Sequence, residues 1–200
     1  SSILMTTAIL AMVSVGQAAV VISGDSGMDM SVGAIMSMTA LFGPMIKVGN
    51  GITSLFVMVP AVILMGAVVG LLNGIGVQVI KIVPLVMTLI MSNVVNGFAI
   101  MITKGQPSGL VSKELQAISK TLVGPFRWLT VIVIVLLAVL EIFFLRRSRY
   151  GKSLFLAGNN KNAAELCGID SRKIIILAYC FSGATAGLAG LMLVGYAGTA

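Results

Sequence analysis

Asp29 stands at the head of an uncharged run, Met30 to Ile46, with Ser31 two residues further on. A carboxylate there has two uses. As a helix N-cap it accepts hydrogen bonds from free backbone N–H groups and faces the positive end of the helix dipole. At membrane depth it lines a polar path through apolar surroundings. The cap is the simpler reading. Asn73, Thr88, Asn93, Asn96 and Gln17 are neutral polar groups within or beside other apolar runs. Amides and hydroxyls can hydrogen-bond a polyhydroxylated solute, or they can link helices at about 0.6 kcal/mol each. Both readings stay open. Asp29, Asn73, Thr88, Asn93 and Asn96 are the candidate path residues.

Other chemistry is excluded or weak. The chain has no histidine and two cysteines, which removes Ser-His and Cys-His catalysis and leaves too few soft ligands for a zinc site. We expect no metal and no cofactor. Asp25 and Asp29 could be drawn as a carboxylate dyad, but they lie four residues apart in a Gly-rich turn with no second motif. Glu141 precedes Arg146-Arg147 by about a turn, as expected of a side chain that snorkels or pairs with arginine. No G-x-x-x-x-G-K-[ST] sequence occurs, so any nucleotide chemistry belongs to a partner.

The elements that carry these residues follow from composition. Hydrophobic residues make up 58% of the 200-residue chain and charged residues only 10%, against about 25% charged in soluble domains. Ser1 to Gly24, Val48 to Ile80, Ile82 to Thr103 and Ile174 to Ala200 carry no charged residue. About 20 apolar residues suffice to cross a hydrocarbon core of ~30 Å. The predicted fold is an all-α, polytopic integral membrane bundle of about six segments: 3–22, 30–46, 53–72, 77–103, 128–145 and 174–195. The second is short enough to be re-entrant. Pro60 and Pro84 fall inside the third and fourth, where each removes a backbone hydrogen bond. The chain opens inside an apolar run without an initiator Met, which reads as an internal fragment of one transmembrane domain, 1–200.

Seven of the 13 basic residues lie between Arg146 and Lys173. One basic loop between apolar spans is the positive-inside pattern and places 146–173 in the cytoplasm. Aromatic residues do not interleave with these charges, so nucleic acid is not an expected partner. Within the loop, Asn159 or Asn160 can cap a short helix, 161–167, and Gly168 with Ile169 can end it. Ala163 and Ala164 on its surface would let it sit flush in a groove of another protein. The plainer alternative is a basic loop on lipid phosphates. Small residues also recur at helical spacing, in the row Gly66, Gly70, Gly74 and in Ser182, Ala186, Gly190 beside Gly183 and Gly187. Such rows allow close helix packing within a bundle, or a dimer seam.

Four motifs in order resemble one family. Gly27-Met28-Asp29-Met30-Ser31-Val32-Gly33 is similar to the G-x-D-L-S-V-G signature of permease subunits in sugar-importing ABC transporters of the ribose/galactose/xylose type. Gly70-Leu71-Leu72-Asn73-Gly74 resembles that family's G-L-x-N-G turn. Pro84 to Leu89 resembles its P-x-x-x-T-L segment, followed by Gly105-Gln106-Pro107. Arg149-Tyr150-Gly151-Lys152, Gly158-Asn159, Ala163-Ala164 and Gly168-Ile169 resemble its cytoplasmic ATPase-contacting loop. Met30 and Cys167 depart from the usual residues, and the family's first and C-terminal helices have no counterpart in the sequence. The resemblance implies a permease of the bacterial cytoplasmic membrane that moves a simple sugar by alternating access. Its implied partners are an ABC ATPase subunit, an extracytoplasmic sugar-binding protein, a second permease copy (identical or different) and membrane lipid. Arg149, Gly151, Gly158, Asn159, Ala163, Ala164, Gly168 and Ile169 become the implied coupling residues. A secondary transporter is the alternative, but nearly charge-free spans argue against ion coupling.

Overall fold

A computed structural model describes residues 2–24, 27–46, 52–104, 122–123, 126–139 and 145–197. Four of its helices are long and apolar enough to cross a membrane. They are α1 (Ser2–Ile22), α3 (Ile52–Gln78), α4 (Pro84–Thr103) and α8 (Ser171–Ala197). Between α1 and α3 lies the shorter α2 (Val32–Phe42), prolonged by a 3-10 turn over Gly43–Met45. At ~1.5 Å per residue this segment falls short of ~30 Å. A two-residue antiparallel pair, Leu122–Val123 with Phe126–Arg127, precedes α5 (Trp128–Val139). Two surface helices follow, α6 (Arg149–Asn159) and α7 (Lys161–Leu166). The protein is an all-α polytopic membrane bundle with four clear apolar spans. The expected fifth segment, 128–145, is described as helix only to Val139. Asp25, Glu141 and Gly105-Gln106-Pro107 lie outside the described residues.

The centre of the bundle is α8. Its most extensive contact is with α3, followed by α1 and α2. The small-residue rows explain how. A Cβ on Gly66 would collide with the carbonyl of Gly183, one on Gly70 with the carbonyl of Tyr179, and one on Gly74 with the backbone of Ile176. On the other side, Gly190 meets the Met36 carbonyl and the Thr39 hydroxyl of α2. The two rows on α8 therefore serve two neighbours within the same chain. Side-chain cores fill the remaining space. Met5, Ile9 and Met12 of α1 pack on Val133, Leu188 and Met192, while Ile35 and Met38 of α2 pack with Val69, Val95 and Ala186. On α4, Leu89, Ile90, Val94 and Met101 are exposed, and the amides Asn93 and Asn96 share that exposed face.

Two boundaries differ from the sequence expectation. The third segment does not end at Leu72 but continues to Gln78, so Asn73 sits on a buried helix face and not in a turn. The fourth does not begin at Val77 with Pro84 inside. It begins at Pro84, preceded by Val83 in an extended conformation (φ −55°, ψ 131°). Proline excludes helical geometry for the residue before it and is well suited to the first helical position, so here it starts the helix. Pro60 does lie within α3.

Candidate functional site

The chain leaving α1 turns back through Gly24, whose φ of +83° is left-handed, a region that costs other residues ~1–2 kcal/mol. Beyond this turn Gly27, Asp29 and Ser31 are buried, Asp29 at 3% exposure, while Met28 and Met30 between them stay exposed. The Ser31 N–H (3.0 Å) and hydroxyl (2.6 Å) both donate to Asp29 Oδ1. The Ser182 hydroxyl of α8 donates to Oδ2 at 3.0 Å. Asn73 of α3 donates from Nδ2 to the Ser31 hydroxyl at 2.8 Å. Thr88 of α4 accepts from the Met30 N–H at 3.1 Å and donates to its own helix at the Pro84 carbonyl, 3.0 Å. Four separate elements thus meet on five residues. No cation pairs with Asp29 among the described residues, so these three donors are what offset its removal from water. Asn73 Oδ1 is buried and has no partner among the described residues.

Ser31, not Asp29, holds the N-cap position of α2, and its side chain makes no capping bond. Asp29 therefore closes a local turn on Ser31 and reaches across to α8, and the simple cap reading is set aside. Of the candidate path residues, Asp29, Asn73 and Thr88 come together. Asn93 and Asn96 do not. They lie on the exposed face of α4, where Asn93 Nδ2 donates to the Leu89 carbonyl at 3.1 Å. Gln17 is half-buried on α1, with Oε1 unpartnered among the described residues. Ser182 carries the long-range link to Asp29, and its spacing gave no signal beyond a small residue in a packing row.

The basic loop is built more regularly. Ser148 caps α6 by accepting from the Gly151 N–H at 2.9 Å. This helix went unrecognised in the sequence, although Gly151, Leu154 and Ala157 recur at intervals of three on its buried face. Leu154 packs among Ala19, Leu145 and Ala178. Gly158 lies against the Ile22 carbonyl at the end of α1, where a side chain would not fit. Asn160 is extended (φ −157°, ψ 105°); it ends α6 and caps α7 by accepting from the Ala163 N–H at 3.1 Å. α7 closes with Gly168 at φ +76°, its N–H donating to the Glu165 carbonyl and the Ile169 N–H to the Ala164 carbonyl, both at 2.9 Å. That pair of bonds is a Schellman motif.

Asp170 then caps α8. It accepts from the Lys173 N–H at 3.2 Å and pairs with the Lys173 ammonium at 3.1 Å. The Lys173 hydrogen bonds hold its carboxyl below the usual range. The implied coupling residues divide by burial. Arg149, Asn159 and Gly168 are exposed, Gly158, Ala163 and Ile169 are half-buried, and Gly151 and Ala164 are buried. The expectation that Ala164 lies on the helix surface is corrected: it is 0% exposed, and the outward residue is Leu166 at 90%. Phe155 and Leu156 of α6 are exposed as well.

A family model described as "Branched-chain amino acid transport system / permease component" matches residues 1–200. The inner membrane ABC transporter permease protein YjfF of Escherichia coli (strain K12) is 28% identical over 96% of this chain and 58% of its own length. The autoinducer 2 import system permease protein LsrC of E. coli (strain SMS-3-5 / SECEC) is 30% identical over 85% of this chain and 49% of its own. The ribose import permease protein RbsC of Haemophilus influenzae (strain ATCC 51907 / DSM 11121 / KW20 / Rd) is 26% identical over 96% and 59%. This chain thus spans roughly half the length of these relatives. No solved structure matches.

Proposed function

The chain belongs to the ABC-transporter permease family whose model spans all of it, and from that membership we propose that it forms part of the transmembrane path of an importer for a simple sugar or sugar-like solute. It is a multi-pass protein of the inner membrane and a permease component, not an enzyme. The observation that carries the substrate reading is the likeness, over 96% of this chain, to a ribose import permease, supported by a likeness to an autoinducer 2 import permease. In this reading α2 and α5 are further membrane segments beside the four long spans, giving six. ATP is hydrolysed by a partner subunit, solute is delivered by an extracytoplasmic binding protein, and a second permease copy, identical or different, completes the path.

Two surfaces support this assignment. The α6–α7 loop presents Arg149, Lys152, Phe155 and Leu166 outward on a framework pinned by Gly151, Gly158 and Ala164. We assign it as the cytoplasmic contact with the ATPase, with Asn159, Ala163, Gly168 and Ile169 setting the angle and end of α7. Asn93 and Asn96 share the exposed face of α4 with Gly97. Two amides on an otherwise apolar spanning helix belong against water or protein, not lipid, so this face is the proposed path. The Asp29, Asn73 and Thr88 network holds it in place. The experiment is uptake into proteoliposomes containing the full-length permease, its ATPase and its binding protein. The panel is sugars together with branched-chain amino acids. ATP-dependent uptake of a sugar is the expected result. Uptake of an amino acid alone, or uptake that persists without ATP and collapses with an uncoupler, overturns the reading.

A further inference from the structure

Between the first turn of α6 and the outward face of α8 lies a groove of about 390 Å³, lined by Tyr150, Leu177, Cys180, Phe181 and Ala184. The four α8 residues recur at i, i+3, i+4 and i+7, one helix face. The Tyr150 hydroxyl donates to the Ile174 carbonyl at 3.3 Å, so its polar atom is directed to backbone and its ring is left to the groove. One turn before Leu177 on the same face is Lys173, whose side chain is 79% exposed. Arg147, three residues before Tyr150, is exposed too. At ~1.5 Å per residue the α8 lining runs from ~9 to ~20 Å beyond the start of the helix. That range falls within one leaflet's share of a ~30 Å core, while the cations stand at its polar edge.

We propose that this groove holds an acyl chain of an anionic membrane phospholipid whose headgroup is met by Lys173 and Arg147. Charge complementarity selects the anionic class. The 146–173 stretch carries seven basic residues against two acidic ones, Glu165 and Asp170. The exposed Lys173–Asp170 pair is of a weak kind that a phosphate can displace. An apolar slot under a cationic rim fits a lipid better than a soluble solute, for which the lining offers no hydrogen-bonding set.

The test uses the full-length permease with its ATPase in nanodiscs, with phosphatidylglycerol or phosphatidylcholine carrying a photoreactive group on one acyl chain. Labelled peptides are read by mass spectrometry. Phosphatidylglycerol is expected to label 177–184 more strongly than phosphatidylcholine. Replacing both Lys173 and Arg147 by Gln should cut the phosphatidylglycerol signal roughly tenfold and leave the phosphatidylcholine signal unchanged. Ala184→Phe, which fills the slot, should remove both, and unchanged ATP hydrolysis reports that each variant is assembled. Equal labelling by the two lipids, indifference to the charge substitutions, or no labelling of 177–184 by either lipid overturns the proposal.

Discussion

At Asp29, one buried carboxylate holds three donors from two elements. Removing it orphans each of them, at about 1–3 kcal/mol per unpaired buried donor. Asp29→Ala should therefore lower the thermal midpoint of the detergent-solubilised protein well below that of Asp29→Asn, which keeps one accepting oxygen. Equal midpoints would show that the network holds nothing. Asp170 behaves differently because it is exposed and its carboxyl is held below the usual range by the Lys173 N–H. A depressed folded value means the cap is intact at pH above the unfolded range near 4 and is lost as pH falls through the lower folded value. Protection of the Lys173 amide, its exchange rate relative to the intrinsic rate at each pH, should fall only in that acid range, and Asp170→Asn should flatten the pH dependence. Much of this was legible in the residues: a cap at Asn159 or Asn160 and Gly168 as a left-handed stop follow from local backbone rules, and the structure puts the cap at Asn160. The bond from Ser182 to Asp29 spans 153 positions, and no local rule reaches that far.

At the scale of elements, the helix ends sort by what defines them. Pro84 begins α4 because proline constrains its neighbour, a boundary that the apolar pattern from Val77 onward does not reveal by itself. α6 is hard to read in the sequence because basic charges surround it and its apolar face is only one residue wide per turn. Glycines offer the sharpest contrast. Gly66→Leu drives a side chain into the Gly183 backbone and should cost about 3 kcal/mol or more, seen as lost folded yield. Gly97→Leu on α4, with nothing within 4 Å of the added carbon, should leave yield unchanged. If the two behave alike, the α3–α8 contact is not backbone to backbone. At the end of α7, Gly168→Val is strained by its φ of +76° at ~1–2 kcal/mol, and Gly168→Asn should be tolerated. In the assembled transporter the Val variant is expected to hydrolyse ATP without matching solute uptake. Unchanged solute-stimulated turnover would remove α7 from the coupling path.

For the whole molecule, the four long spans were readable from charge alone, since lipid forbids the charges that water requires. Their arrangement was not, because apolar helices in an apolar solvent carry no inside-outside signal and are sorted by close fit. Surface function is tested by Leu166→Asp. At 90% exposure it should leave stability within ~0.5 kcal/mol of the parent yet reduce co-purification of the ATPase subunit. Retained co-purification would move the contact elsewhere. The glycine seam between α3 and α8 bears on how such a machine can move. Where Gly66, Gly70 and Gly74 meet α8 the two helices touch through peptide backbone, with few rotamers there to rearrange, while Met58 and Val62 pack by side chain on Leu191 and Val194. The pair is therefore expected to move as a single strut. Any movement in transport is then expected at the neighbours held by hydroxyl hydrogen bonds, α2 through Ser31 and α4 through Thr88, with the polar network as the proposed hinge pin and the seam as the frame around it.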